Sequence, residues 1–317
     1  MECLQTIGLG VNCDAVEHYR EGERDLVACG MYELVEGKRI GQIALFALES
    51  KQLNKVHQVD TSGVFDIKWN NGRLGAACAD GQLHVFDSDL SPQSSLSIAP
   101  GSFCLALAWI NSSTVAVSCS DGTISLCDLE AGEVVHQYAA HTYPHDSSMP
   151  AEVWTVASDG ENMLASGADE GALKLWDVRA PYESASLLAA KRGVHGDCGV
   201  CSLQFSSSTR GLLSGGYDGH VRLWDLALPH KSPPAHSTPA ALGGGVWRIK
   251  QRDGEIFTAC MRGGFQLLQS SDLSPISKYT EQEPQWEALA YGADWITDKL
   301  VAGCSFYDRK FRLFELS

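Results

Sequence analysis

The side chains of this chain that can carry chemistry are an arginine, two Tyr-Asp pairs and a set of large aromatic residues. Arg248 follows a tryptophan, and the pairs are Tyr217-Asp218 and Tyr307-Asp308. Guanidinium, carboxylate and phenol groups beside aromatic faces are suited to holding a polar ligand. The sequence contains no Gly-x-Ser-x-Gly elbow, HExxH motif, phosphate loop or dinucleotide fingerprint. Motifs alone therefore do not indicate an enzyme.

The elements that must position these side chains belong to a repeated unit. Seven short apolar strands recur roughly every 40 to 50 residues, a period typical of WD-repeat proteins. Two of them end in a full Trp-Asp pair, at Trp176-Asp177 and Trp224-Asp225. The seven strands start at Ile43, Leu83, Ile124, Leu173, Val221, Phe265 and Phe311. Units of this size cannot each bury a core, so the repeats predict one closed ring.

The predicted fold is all-β, a single seven-bladed WD-repeat β-propeller over residues 1–317. The blades are expected at about 13–60, 61–100, 101–141, 151–192, 199–241, 245–282 and 286–317. The chain stops at the third strand of its last unit, so the N-terminal strand 3–8 is predicted to close the ring and cover the free sheet edge. The proline-rich segment 228–241 is expected to be a surface excursion beside blade five.

The innermost strand of each unit places one residue at a shared register, its second position. These residues are Asp14, Phe65, Leu105, Trp154, Cys201, Trp247 and Tyr291. The four large rings predict an aromatic rim at the end of the propeller where the inner strands begin. Arg248 is the only positively charged residue at the third position, and Glu152 adds a carboxylate near the same end. Rings of this size can also simply fill gaps between blades, so packing remains an alternative.

Composition restricts the partners and the compartment. The net charge of −15 disfavours nucleic acid and favours a basic or cationic target. The sequence lacks a signal-peptide pattern and any apolar run of about 18 residues, which predicts a soluble, cytoplasmic protein without a membrane partner. Cys198 and Cys201 form a lone CxxC with no further ligand pair, so packing is favoured, and neither a metal nor a cofactor is expected.

Several phrases outside the repeat pattern resemble one family. They are LVACGMYEL from Leu26, GGVWRIK from Gly244, ACMRGGF from Ala259, YGADW from Tyr291 and CSFYD from Cys304. On these phrases the chain resembles the diphthine methyl ester hydrolases of the diphthamide pathway, which are eukaryotic WD-repeat proteins. The resemblance implies hydrolysis of the methyl ester of methylated diphthine on translation elongation factor 2, with release of methanol before a final amidation. It implies that elongation factor 2 is the partner, and we expect a monomer.

The implied substrate carries a trimethylammonium group, which aromatic faces bind well when negative charge lies nearby. The resemblance and the register together give an expected set of substrate contacts. The set is Phe65, Trp154, Trp247 and Tyr291 as a cage, Glu152 or Asp294 as the negative charge, and Tyr217 as a further contact.

Ester hydrolysis also needs an activated water and a donor for the oxyanion. The expected base is His195, acting with Asp218 or Asp308, and the expected donor is Arg248 or the hydroxyl of Tyr307. His195 and His57 also occupy the place where WD repeats put a structural histidine that bonds to a turn aspartate, and a Cys304 or Ser305 nucleophile stays open. A non-catalytic adaptor is the alternative function, and a structural subunit of a methyltransferase assembly is a third.

Overall fold

Seven four-stranded antiparallel sheets are arranged in a ring in the computed structural model. It describes residues 1–179, 187–206, 210–226, 236–281 and 288–317. Each innermost strand contacts the innermost strands of the two neighbouring sheets, and the contact between the first and the last closes the circle. The prediction of an all-β, seven-bladed WD-repeat propeller is confirmed.

The strands of the first three blades follow one another without interruption. Blade one contains β2 (Cys13–Glu21), β3 (Arg24–Val35), β4 (Lys38–Glu49) and β5 (Gln52–Ser62). Blade two contains β6 (Val64–Asn70), β7 (Arg73–Cys78), β8 (Gln82–Phe86) and β9 (Pro92–Ser97). Blade three contains β10 (Cys104–Trp109), β11 (Thr114–Cys119), β12 (Thr123–Asp128) and β13 (Glu133–Ala139).

The later blades are separated by short extra strands. The hairpin of β14 (Thr142–Tyr143) and β15 (Asp146–Pro150) precedes blade four, which contains β16 (Thr155–Ser158), β17 (Met163–Gly167), β18 (Leu173–Asp177) and β19 (Leu187–Lys191). After β20 (Val194–Asp197), blade five contains β21 (Val200–Phe205), β22 (Gly211–Gly216), β23 (Val221–Asp225) and β24 (His236–Ser237). Blade six contains β25 (Arg248–Arg252), β26 (Glu255–Ala259), β27 (Phe265–Gln269) and β28 (Pro275–Tyr279). Much of the predicted excursion 228–241 lies outside the described residues.

Blade seven is completed by both ends of the chain. It contains β29 (Ala290–Trp295), β30 (Leu300–Ser305) and β31 (Lys310–Glu315), with β1 (Glu2–Gly8) as its outer strand. Strand β1 pairs antiparallel with β31, from Glu2 opposite Glu315 to Gly8 opposite Lys310. The predicted closure by the N-terminal strand is therefore confirmed. This pairing satisfies the edge of β31 and ties the first blade to the last.

The hydrophobic core is divided among the seven gaps between blades. Each of the seven buried clusters combines residues from two neighbouring blades; for example, Val16 of blade one packs with Phe311 of blade seven. A single blade thus buries its two faces only when both neighbours are present. The core is therefore completely buried only when the ring is closed.

The inner strands share a local irregularity that matters for the site. In five blades the ladder between the first and second strands shifts register at the second position, as it does at Asp14, Phe65 and Tyr291. A bulge of this kind leaves one residue out of the pairing and turns its side chain away from the regular alternation. The residue at the second position can therefore point toward the end of the channel instead of into a gap between blades.

Blade one is longer than the others at this end. Strands β3 and β4 stay paired from Leu26 opposite Ala47 to Val35 opposite Lys38, and they extend as a hairpin above the second-position residues. Tyr32 and Arg39 lie on this extension. In the part of the chain that the structure describes, no helix is long and apolar enough to cross a membrane.

Candidate functional site

Eight aromatic residues form a connected arc around one end of the central channel, and we call this group the aromatic rim. In order of contact they are Phe103, Phe65, Tyr32, Phe306, Tyr291, Trp247, Trp154 and Tyr217, the last two both touching Trp247. Most of the rim is partly exposed at the mouth of the channel. The four rings predicted from the register, Phe65, Trp154, Trp247 and Tyr291, are thus brought together.

Trp247 is the centre of the rim. Its ring stacks on Tyr291 with centroids 4.9 Å apart and meets Trp154 at 5.6 Å and Tyr217 at 6.0 Å. On the opposite side Tyr32 lies 4.9 Å from both Phe65 and Phe306. These rings do more than fill gaps between blades, because they contact one another across several blades at a solvent-accessible mouth.

Below the rim lies a small cavity with Arg248 and Asp14 in its wall. The cavity has a volume of about 20 Å³, and its wall also contains Phe65, Trp154 and Trp247. The Arg248 side chain is 14% exposed and forms an ion pair with Asp66, with an N–O distance of 3.1 Å. Arg248 also borders a second cavity of about 310 Å³ that occupies the channel further from the rim. The guanidinium thus separates a small upper chamber from a larger lower one.

The channel below the rim is lined by a network of ion pairs. Lys68 lies 2.7 Å from Asp66 and 3.5 Å from Glu17, and Lys250 lies 2.5 Å from Glu17 and 3.4 Å from Asp294. Burial acts to raise the pKa of Asp66, but the neighbouring Lys68 and Arg248 outweigh it and lower that pKa.

Asp14 differs from these carboxylates. It is only 3% exposed, and burial raises its pKa to about 8 against the attraction of Arg248. The charge on Asp66 acts in the same direction as burial. A carboxyl group with this pKa is poised to gain or lose a proton near neutral pH, which is a property of acid–base groups in active sites.

One side of the rim is acidic. The Trp154 indole N–H points at a carboxylate oxygen of Asp169, with an N–O distance of 3.4 Å, and the Tyr143 hydroxyl donates to the other oxygen at 2.5 Å. Burial raises the pKa of Glu152, and nearby Asp169 raises it further. Two carboxyl groups beside Trp154 give this side of the rim a preference for cations.

The predicted base is not at the rim. His195 is fully buried in a network within blade five, where Nδ1 lies 2.7 Å from Asp218 and Nε2 lies 2.8 Å from the Ser214 hydroxyl. The Trp224 indole donates to the same hydroxyl at 2.8 Å. Burial lowers the pKa of His195, although Asp218 opposes this effect. Both ring nitrogens of His195 are bonded inside the blade, and the oxygens of Asp218 are bonded to His195, the His220 amide and Arg222. The geometry therefore supports the structural alternative.

Asp308 also lies in a network of this kind. It bonds to Arg312 at 2.7 Å and to the Ser305 hydroxyl, to which Arg312 donates as well. Ser305 is 1% exposed, and burial raises the pKa of the Cys304 thiol, so neither residue is arranged as a nucleophile. His57, in contrast, is exposed on β5 and takes no part in a structural network, contrary to expectation.

The other predicted residues are distributed between the rim and the channel. Tyr217 contacts Trp247 at the rim and is 40% exposed. Tyr307 is 57% exposed and touches the rim through Phe306, with centroids 5.0 Å apart. Asp294 is deeper than predicted: it accepts from the His18 amide at 2.7 Å and pairs with Lys250, so it belongs to the channel network and not to the cage.

Sequence reasoning missed Tyr32, Phe103 and Phe306 as rim residues and did not single out Asp14. Tyr32 lies in the extended hairpin of blade one, so the inner-strand register does not reach it. Tyr32 and Phe306 do occur in the phrases LVACGMYEL and CSFYD, which depart from the repeat. Asp14 was visible as the only charged residue among the seven second positions.

The fold and its repeats define the class of protein. A family model described as WD domain, G-beta repeat matches residues 132–177 and 190–225. The chain is also similar in fold to a chain in the crystal structure of the mitotic checkpoint complex, with a TM-score of 0.77 and 14% identity over 99% of this chain and 92% of that one. The protein is a WD-repeat β-propeller.

More particular similarity comes from three curated relatives. The chain is 28% identical to a diphthine methyltransferase homolog of Dictyostelium discoideum, over 95% of both chains. It is 28% identical to the diphthine methyltransferase of Schizosaccharomyces pombe, over 94% of this chain and 93% of the relative. It is 29% identical to the human diphthine methyltransferase, over 92% of this chain and 74% of the relative.

Proposed function

We propose that this protein hydrolyses the methyl ester of methylated diphthine on translation elongation factor 2 and so acts in diphthamide biosynthesis. The reaction consumes water, releases methanol and leaves the free carboxylate for the final amidation. Similarity over more than nine-tenths of the chain to proteins named for diphthine supports the pathway. The proposed compartment is the cytoplasm, where translation takes place.

The observation that carries this proposal is that the aromatic rim, which is suited to binding a cation, lies directly above Arg248 in the wall of the small cavity. A trimethylammonium group has no hydrogen-bond donors and is held by aromatic faces at about 6 Å or less from the ring centre. The partly exposed faces of Trp154 and Trp247, beside Glu152 and Asp169, meet that need. The small cavity is too narrow for the ammonium group, which therefore lies across the rim with the ester directed inward.

Arg248 supplies the second requirement. A tetrahedral intermediate carries negative charge on the former carbonyl oxygen, and a preorganised guanidinium stabilises that charge without reorganising. The ion pair with Asp66 holds Arg248 in place, and the 14% exposure of its side chain keeps the guanidinium poorly solvated. In this orientation the ester carbonyl points toward Arg248.

The test uses purified elongation factor 2 that carries methylated diphthine. Incubation with the protein is expected to remove the mass of one CH₂ group from the modified peptide and to release one equivalent of methanol. The Arg248→Met variant is the matched control and is expected to bind the factor and leave the ester intact. An unchanged mass under conditions of many turnovers would contradict the proposal.

Methyl transfer to diphthine is the second candidate, because the three relatives are named diphthine methyltransferases. It predicts the opposite mass change, a gain of one CH₂ group on unmethylated diphthine in the presence of a methyl donor. Stable binding of elongation factor 2 with no mass change in either assay would instead support an adaptor.

A further inference from the structure

Among the described carboxyl groups beside this ion-pair network, Asp14 is the one that forms no ion pair, although Arg248 attracts it over a longer distance. Three cations and three carboxylates pair with one another: Arg248 and Lys68 with Asp66, Lys68 and Lys250 with Glu17, and Lys250 with Asp294. Among the described residues, Asp14 accepts no hydrogen bond and has no cation within 4.0 Å. Buried carboxyl groups that serve only structure are normally bonded, so an unpaired one needs another explanation.

The position of Asp14 is equally specific. It faces the small cavity, and Arg248 and three rim residues belong to the same wall. The cavity volume of about 20 Å³ is enough for one water molecule, which needs roughly 10–15 Å³ of such space. A water there would lie between a carboxyl group, a guanidinium and the rim on which the proposed substrate rests. The register bulge at Asp14 is what directs its side chain to this place.

We propose that Asp14 is the general base of the site and that Arg248 stabilises the oxyanion that Asp14 helps to form. This rests on the proposed ester hydrolysis. The Asp14 carboxylate takes a proton from the water, and the water oxygen bonds to the ester carbonyl carbon. The carbonyl π bond opens onto oxygen, where Arg248 meets the negative charge. Collapse of the intermediate restores the carbonyl and breaks the bond to methoxide, which takes the proton from Asp14 and leaves as methanol.

The product carboxylic acid then releases its own proton to solvent, which completes the balance. His195 and Asp308, the bases expected from the sequence, have their bonding positions occupied inside blades five and seven. Among the described residues, Asp14 is the only carboxyl group in the wall of the small cavity. No bond within the fold has to break for this step.

The pH dependence follows from the groups that face Asp14. These are Asp66 on blade two, Arg248 on blade six, Tyr291 and Cys304 on blade seven and Tyr32 on the extended hairpin. Burial dominates over all of them and raises the pKa of Asp14 to about 8. The ionised form acts as the base, so kcat/KM is expected to rise with pH, to reach half of its maximum near pH 8 and to level off above it.

The experiment compares Asp14→Asn, Asp14→Glu and the wild type on elongation factor 2 with methylated diphthine. Asp14→Asn is expected to lose about 100-fold or more in kcat with little change in KM, and Asp14→Glu to recover part of that loss. Asp298→Asn, at a position with an 82% exposed side chain on the turn between β29 and β30, is the matched control and is expected to keep full activity.

Two results would overturn the assignment. The first is an active wild type with an equally active Asp14→Asn variant, which sinks the role of Asp14 and leaves the hydrolase intact. The second is a wild-type kcat/KM that stays flat from about pH 6 to about pH 9, a result that needs no variant. An inactive wild type would overturn both the hydrolase and the role of Asp14, so the two failures are distinguishable.

Stability gives an independent readout. Because folding raises the pKa of Asp14 from 3.8 to about 8, the folded state holds this proton more tightly than the unfolded state. Its contribution to stability is complete below pH 3.8 and is lost as the pH rises through about 8. The Asp14→Asn variant has no carboxyl group to ionise and so does not lose this stability as the pH rises. Its Tm is expected to exceed the wild-type Tm by a few degrees at pH 8, and the two Tm values should converge at acidic pH. An identical pH dependence of Tm in both proteins would count against a buried, titrating Asp14.

Discussion

Blade five and the upper channel use the same kinds of side chain in opposite ways. In blade five, His195 bonds to Asp218 and Ser214, and Trp224 completes the chain of hydrogen bonds. Blade four repeats this arrangement with His141, Glu170, Ser166 and Trp176. In the upper channel, Arg248, Lys68 and Lys250 form ion pairs with other carboxylates and not with Asp14. Asp14 borders the small cavity below the partly exposed aromatic rim.

The difference separates polar groups that stabilise the fold from polar groups that are available to a ligand. These networks bond both ring nitrogens of each histidine and so rigidify their blades, although one buried oxygen of Glu170 has no hydrogen-bond partner among the described residues. A buried carboxyl group without an ion pair costs stability, and it persists where the surrounding structure holds it in place. The Trp-Asp blades, which match the repeat best, are therefore the least informative about function, and blades one, six and seven are the most informative.

The largest effect that tests this contrast is expected at Arg248. Arg248→Met should lower kcat/KM about 100- to 1000-fold through loss of the oxyanion partner. It should also lower the free energy of unfolding by about 3 kcal/mol, the lower limit for a broken buried pair, because Lys68 still neutralises part of the charge on Asp66. Arg248→Lys keeps the charge and is the control. Steady-state kinetics and urea unfolding measure the two effects, and a fully active Met variant would remove Arg248 from the site.

His195 should give the reverse pattern. His195→Ala leaves Ser214 and Asp218 without their partner and is expected to cost about 2–3 kcal/mol of unfolding free energy. Activity per folded molecule, measured well below Tm, should stay within about twofold of the wild type because His195 does not reach the rim. The exposed His57→Ala is the matched control and should change neither quantity. A folded His195→Ala protein without activity would restore the histidine as a catalytic residue.

Trp247 should affect binding more than chemistry. Trp247→Leu removes the central ring of the rim and is expected to raise KM about tenfold, which corresponds to a cation–π contribution of about 1–2 kcal/mol. A substrate analogue with a neutral tert-butyl group in place of trimethylammonium tests the cause. The KM for that analogue should respond far less to the substitution, and an equal response would mean that Trp247 contributes only apolar contact.

The smallest effect is expected at Tyr307. Its hydroxyl is at the exposed edge of the rim, and the ring touches the rim only through Phe306. Tyr307→Phe should therefore change kcat/KM by less than about threefold, since water can replace any bond that the hydroxyl makes to the substrate. A loss near that of Arg248→Met would show that the oxyanion donor is the phenol.

The repeat register was enough to predict four rim residues, because residues at one position of equivalent strands must lie at one height. The same logic predicted His195 beside Asp218, but it could not show whether that pair faces a ligand or a neighbouring strand. Asp294 shows that membership of one sequence phrase does not predict membership of one site. It lies in the phrase YGADW with the rim residue Tyr291, but its position along the strand places it deeper in the channel, where it pairs with Lys250. Tyr32 could not be predicted from the register, because it lies on a hairpin extension outside the inner strands.

The sequence by itself determined the ring, its seven blades and its closure by the N-terminal strand. Repeated apolar strands that cannot bury a core alone must pack against neighbouring repeats, and a closed ring gives every blade two neighbours. It also supplied the phrases that resemble a family. Only the tertiary structure decided which polar groups are satisfied. Hydrogen bonds and ion pairs join residues from different blades, so the pairing of Arg248 with Asp66 and the lack of a cationic partner for Asp14 arise when the ring closes.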